Sequence, residues 1–337
     1  QWADIPGLFR EGLLESLTAA AFSQKQVEGY LRHTETLEIT RTHGRREVAF
    51  LNRAWEDVLT SDLCLDTDRQ AQPQQAAPAD AAPAAPAPAN GFCKNIITVI
   101  NNFADTVLNL TLRDVKIDVS NTGWENHAGK AALSVQGKGN VEIELDGKNE
   151  LKSGYYRAGL EKNNSTSAGT LTLKDNKEAG SGSLNAEGGE LSAGIGACYE
   201  EGTKNIIITG GTVTATGGDG GAGIGGGKGG AAENIIITGS TVTATGGSAM
   251  GFGGAGIGGG SDGRNSDSNG KNITITGSTV TAKGGNGSAG IGGGVGGSGE
   301  SITITGSTVT AEGGNGAAGI GSGNGKNITI TDSTVTA

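Results

Sequence analysis

The chain has 337 residues, of which 63 are glycine and only 4% are aromatic, so it cannot fill a conventional globular core with large side chains. Its formal net charge is -10. Residues 1–69 hold 8 basic against 12 acidic residues, residues 70–204 hold 12 against 16, and residues 205–337 hold 5 against 7. No segment is basic, which counts against nucleic acid as a partner, and no run of ~18 apolar residues exists to span a membrane as a helix.

Residues 1–69 are rich in charge and helix formers. Leu13, Leu14 and Leu17 predict one amphipathic helix, and Ser23 with Gln26 form a capping box that opens a second through Val27, Tyr30 and Leu31. Leu37 and Ile39, then Val48 and Phe50, flank a turn at His43-Gly44 and predict a hairpin, with a short helix around Trp55, Val58 and Leu59 closing the unit. This is a small α+β domain of unassigned role, just large enough to fold alone. Arg41, Arg45, Arg46 and Arg53 are outnumbered by the acidic residues of the same unit and make no nucleic-acid site. Residues 70–91 carry five of the six prolines among alanines and read as an extended spacer.

From residue 92 onward the chain repeats. Asn205 to Ala215 reads NIIITGGTVTA, Asn234 to Ala244 reads NIIITGSTVTA, and further copies open at Asn272, Ser301 and Asn327. Between copies lies a glycine run with a lone isoleucine: Ile224, Ile257, Ile291 and Ile320. Self-similarity at a period near 30 predicts a stacked solenoid. Strict alternation makes it one of strands: in the copy at Asn272, Ile273, Ile275 and Val280 face one side, and Thr274, Thr276, Thr279 and Thr281 face the other. Each coil then has two short strands and a third, glycine-lined side whose isoleucine fills the interior. The template extends backward to NVEIEL at Asn140, TLTLK at Thr170, and NLTLRDVKIDV at Asn109, where Leu110, Leu112 and Ile117 are aligned with Ile206, Ile208 and Val213. Eight coils at the ~4.8 Å strand spacing give a rod roughly 40 Å long. In-register stacking lines up the asparagines of NI at 95, 205, 234, 272 and 327 as amide ladders.

The first residue is Gln1 and Ala337 stops partway round a coil, so the natural chain is expected to continue with more coils or a cap, and any signal peptide lies outside this sequence. Cys64, Cys93 and Cys198 leave at least one thiol unpaired; a Cys64–Cys93 bridge and three separate thiols both fit.

NLTLRDVKIDVSNTGWENHAGKAALSVQGKGNVEIELDGKNELKSG, from Asn109 to Gly154, followed by GTLTLKDN and the ITGGTVTATGG copies, resembles the clostridial carbohydrate-binding β-helix family. The glycine-rich coils are also similar to repeat proteins of gut Firmicutes. The resemblance covers Asn109 to Ala337 and nothing in residues 1–90. It implies a right-handed parallel β-helix, a secreted or cell-surface location, and non-catalytic binding of polysaccharide or host glycan, in some members with calcium.

Residues suited to a sugar are exposed aromatics beside polar groups. Trp124 with Glu125 and His127, and Tyr155-Tyr156 with Arg157, follow the strands of consecutive coils and are the candidate ligand site; as an alternative reading, Trp124 and one tyrosine cap the end of the apolar column. Lys116, Asp118, Glu142 and Glu144 project outward, as either a solvated face or an acid–base cluster of the polysaccharide-lyase type. NSDSNG places oxygens at Asn265, Asp267 and Asn269 like the first half of a calcium loop, but Thr276 stands where the bidentate Glu should be, so a solvated turn is the favoured reading over a calcium site. The outward pairs Thr212/Thr214, Thr241/Thr243, Thr279/Thr281, Thr308/Thr310 and Thr334/Thr336 resemble ladders of ice-binding solenoids, or serve as the soluble surface of a passive stalk.

Overall fold

Alternating apolar and polar residues give each repeat one face to bury, and the coils bury it against one another along a single axis. The computed structural model describes residues 36–42, 45–51, 56–60 and 91–337, apart from 105, 125–126, 177–181, 250–251, 262–266 and 324. The first strands are β1 (Thr36–Thr42), β2 (Arg45–Leu51), β3 (Glu56–Thr60), β4 (Ile96–Asn101), β5 (Val107–Arg113), β6 (Lys116–Asp118), β7 (Leu133–Gly137), β8 (Asn140–Asp146) and β9 (Lys148–Lys152). Among the described residues three long sheets of ten, nine and eight strands run the length of the coil stack. Apart from the β1–β2 hairpin, every neighbouring pair within these sheets is parallel. The result is a right-handed parallel β-helix, the hand that parallel crossovers take.

The wall that holds β5 and β8 carries the isoleucines. Ile206, Ile235, Ile273 and Ile302 pair in one file, and all four are fully buried. The wall that holds β6 and β9 carries the threonines, with Val213, Val242, Val280 and Val309 directed inward. The third wall shrinks to two-residue strands, Ile195–Gly196, Ile224–Gly225, Ile257–Gly258, Ile291–Gly292 and Ile320–Gly321. From Gly196 onward its second column requires glycine: Gly225 has φ +141, and a Cβ there would lie 1.9 Å from the Gly258 carbonyl oxygen of the next coil.

Three details differ from the sequence reading. The first recognised coil sits two residues out of register: Val107, not Asn109, pairs with Asn140, so Leu108 and Leu110 take the places of Ile206 and Ile208, and Ile117 stacks under Leu151, in the column of Ala215. A slip of two keeps every side chain on its own face, which is why alternation could not detect it. Asn149 then takes the inward place of Val213; its Oδ1 accepts from Val115 N–H at 2.9 Å and its Nδ2 donates to Ser183 O at 3.1 Å.

The asparagine ladder is real but shorter than expected. Asn234 Nδ2 donates to Asn205 Oδ1 at 3.0 Å and Asn272 Nδ2 to Asn234 Oδ1 at 3.1 Å, whereas Asn95 precedes β4 on the glycine wall and belongs to a different stack. Asn205, Asn234, Asn272, Ser301 and Asn327 all have φ between 53 and 57, so each strand is kinked at that point, and asparagine suits the left-handed position better than most residues.

The segment around Val58 and Leu59 is β3, not a helix; it pairs in parallel with β5. The hairpin forms as expected, Leu37 opposite Phe50 and Ile39 opposite Val48, and β2 pairs in parallel with β4. Two walls therefore start with strands from before residue 70. The helices expected at Leu13–Leu17 and Ser23–Leu31, the spacer, and Cys64 lie outside the described residues. Cys93 and Cys198 are free thiols.

Candidate functional site

The outward faces change character along the rod. In the early coils they carry cross-coil ion pairs: Lys116–Glu150 at 2.8 Å, Lys174–Glu142 at 2.7 Å, Lys152–Glu187 at 3.0 Å and Arg113–Asp146 at 2.6 Å. Parallel register puts residue i of one coil directly over its counterpart in the next, so alternating signs in one column satisfy each other. Lys116 and Lys152 also lie 5.8 Å from the Phe92 ring centroid. Burial pushes the Asp118 carboxyl up, but hydrogen bonds from the Ser120 hydroxyl and N–H, with Lys94 and Lys152 nearby, outweigh it and hold the group below its ordinary value. Glu144 accepts Asn176 N–H at 2.8 Å. The four outward groups singled out in the sequence thus each have a structural partner.

From Thr212 onward threonine replaces these charges. Thr212, Thr241, Thr279, Thr308 and Thr334 pair in one in-register column, and Thr214, Thr243, Thr281, Thr310 and Thr336 in the next. A third column runs Lys152, Glu187, Thr216, Thr245, Lys283, Glu312.

Aromatics gather at the corner between the threonine and glycine walls. Trp124 and His127 close a short loop by paired backbone hydrogen bonds of 3.0 and 2.7 Å, with ring centroids 4.7 Å apart; Trp124 is 66% exposed. The next coil supplies Tyr155 and Tyr156. Tyr155 N–H donates to Thr122 O at 2.9 Å and its carbonyl accepts Gly129 N–H at 2.7 Å, so the two clusters stand on adjoining coils as expected. Tyr155 and Tyr156 have centroids 4.2 Å apart, and Tyr156 stacks on Tyr199 at 4.6 Å with 29° between planes. Sequence reasoning missed Tyr199, which stands at the far corner of the glycine wall. The shortness of that wall was the available signal, because two residues bring both corners within reach of each other.

Beneath this ledge lies a buried polar cluster. Arg157, part of the candidate ligand site, pairs with buried Glu161 at 2.7 Å. Asn163 Nδ2 donates to the same carboxylate at 3.2 Å, and its Oδ1 accepts Cys198 N–H at 2.9 Å. Burial pushes Glu161 above the ordinary carboxylate range despite Arg157. It pushes the Cys198 thiol up to about 12, so this cysteine is no thiolate nucleophile at neutral pH. Lys162 is fully buried; its ammonium donates to Ser167 O at 3.4 Å, and desolvation, then Lys204, lower it to about 8. Tyr155 is raised by desolvation and by hydrogen bonds to Tyr156 and Glu190.

Of the calcium-type residues, Asn265 lies outside the described residues. Asn269 Nδ2 donates to Asp267 Oδ1, and Asn269 Oδ1 accepts Ser298 N–H at 2.7 Å, so this amide ties one coil to the next. Among the described residues no group of three or more His, Cys, Asp or Glu converges to hold a metal ion. No described helix is long and apolar enough to cross a membrane.

Residues 1–85 match the model of a domain of unknown function (DUF6933). No curated protein sequence and no solved structure is significantly similar to the chain. Residues 206–228, 273–295 and 302–324 match the β-helix repeat model, each match running from the isoleucine wall through the threonine wall and around the glycine corner. With those matches and three parallel walls, the chain folds as a parallel β-helix, three of whose coils are similar to the β-helix repeat model.

Proposed function

We propose that this is a non-catalytic, extracellular or cell-surface β-helix protein that binds polysaccharide through the aromatic ledge. The observation that supports the reading is the exposure of Trp124 beside His127, one coil from the Tyr155–Tyr156–Tyr199 group. A flat ring standing clear of the surface beside hydrogen-bonding groups suits the apolar face of a pyranose. Arg157 and Glu161 act as positioning residues that fix the Tyr155–Tyr156 turn, in which Tyr156 holds φ 63. The early-coil carboxylates are read as a solvated surface, since acid–base catalysis needs groups held for the substrate and these are engaged by neighbouring lysines, Ser120 and Asn176 N–H. The reading requires no metal.

Pulldown of the full chain on insoluble cellulose, pectin or mucin tests this. Retention on at least one is expected, and Trp124→Ala with Tyr155→Ala should release it; absence of retention on every glycan leaves the passive stalk. Sugar release from the polymers would restore the enzyme reading instead. A second reading, ice binding, rests on the two in-register threonine columns, and thermal hysteresis is its test.

A further inference from the structure

The corner that carries Tyr155 continues along the rod as a column of glycines, and it opens into a groove in the last coils. Gly154, Gly189, Gly218, Gly247, Gly285 and Gly314 form one column: a Cβ on Gly189 would lie 1.9 Å from Gly154 O, on Gly218 2.0 Å from Gly189 O, on Gly247 1.9 Å from Gly218 O, on Gly285 2.1 Å from Gly247 O, and on Gly314 1.8 Å from Gly285 O. The residues that follow these glycines stack in the same order: Tyr155, Glu190, Asp219, Ser248, Asn286, Asn315. Side chains tie this column together, since Asn286 N–H donates to Ser248 Oγ at 3.1 Å and Asn315 Nδ2 to Asn286 Oδ1 at 3.0 Å. Facing it across the glycine floor is the third column of the threonine wall, from Lys152 to Glu312. In the last coils the space between the two columns is a groove of about 290 Å³, floored by Gly246, Gly284, Gly285, Gly313 and Gly314.

We infer that this corner groove is a track for one extended, neutral glycan chain lying parallel to the rod axis, with the aromatic ledge at its start. The inference rests on the glycan-binding reading above and narrows it. Five coil steps from Tyr155 to Asn315 span about 24 Å at the ~4.8 Å strand spacing, and that spacing is close to the advance of a sugar ring in an extended chain. The floor is bare peptide, which lets a flat chain approach closely, and the sides offer donors and acceptors in mixture: amides, hydroxyls, and a Lys283–Glu312 pair at 3.3 Å. Along both columns two lysines, Lys152 and Lys283, face four carboxylates, Glu187, Glu190, Asp219 and Glu312. That balance repels a polyanion and favours an uncharged polymer.

Calorimetric titration of the full chain with cello-, xylo- and manno-oligosaccharides of increasing length, beside oligogalacturonates, tests the track. For at least one neutral series, affinity should climb with each added unit through about five units and then level off. Oligogalacturonates should bind weakly at low salt. N286A/N315A should lose about tenfold on the longest neutral ligand and nothing on its disaccharide, as two neutral hydrogen bonds predict. Affinity that is flat with length, or tighter for the polyanion, overturns the track without any variant. Should Trp124→Ala release glycan while N286A/N315A, folded by circular dichroism, binds all lengths as wild type, the ledge stands and the track falls. If no glycan is retained in the pulldown, both fall together.

Discussion

Lys162 and Glu161 are neighbours in the chain, and both are buried where later coils place glycine or a small residue. For Lys162 the folded value of about 8 lies below the ordinary 10.5, so its contribution to stability is full above pH 10.5 and is lost as pH falls through 8. At pH 7 the chain therefore carries the cost of a buried ammonium with one weak acceptor. Lys162→Met keeps the length and removes that charge, so it should stabilise the protein at pH 7 by on the order of 2 kcal/mol in urea unfolding, with the gain vanishing above pH 10.5. Glu161 has the opposite ordinary charge and a raised value: its stability contribution is full below 4.5 and is lost as pH rises through the folded value. Glu161→Gln should flatten that decline when unfolding is followed from pH 4 upward. An unchanged slope would mean that Arg157 and Asn163 compensate the burial completely.

At the scale of a single coil, the turn between the isoleucine and threonine walls holds a device that alternation does not reveal. Ser240 N–H donates to Ser278 Oγ at 3.3 Å, Ser278 N–H to Ser307 Oγ at 3.2 Å, and Ser307 N–H to Ser333 Oγ at 3.1 Å, while each of these hydroxyls also donates to the carbonyl two residues before it. Ser278→Ala leaves the buried Ser240 N–H without its partner and should cost about 1–3 kcal/mol, read as a lower unfolding midpoint; Ser278→Thr, which keeps the hydroxyl, should recover part of it. The same contrast explains what was legible in the sequence. Ile206 to Ile302 could be stacked by period alone, because inward and outward residues differ in kind. The register at Leu108 could not, because a two-residue slip leaves the pattern unchanged, and a serine in a turn looks the same whether or not it belongs to a ladder. The candidate site was legible where aromatics are rare, at Trp124 and Tyr155-Tyr156. It was illegible where geometry alone brings partners together, as with Tyr199 on Tyr156 or Arg157 on the buried Glu161.

Across the whole molecule, each coil touches the coils before and after it, so stability is close to a sum of coil and interface terms. The Ile273 side chain is fully buried between Ile235 and Ile302. Ile273→Ala removes apolar contacts to both neighbours and should cost about 2–5 kcal/mol. In a globular core that loss would spread through one cooperative unit. Here hydrogen exchange should show amide protection falling most in the coils that hold Ile235, Ile273 and Ile302, and least around Val141 and Leu108, four and five coils back from Ile273 along the isoleucine wall. Equal loss of protection at Leu108 and Ile302 would show that the rod unfolds as one unit, and would defeat the nearest-neighbour account.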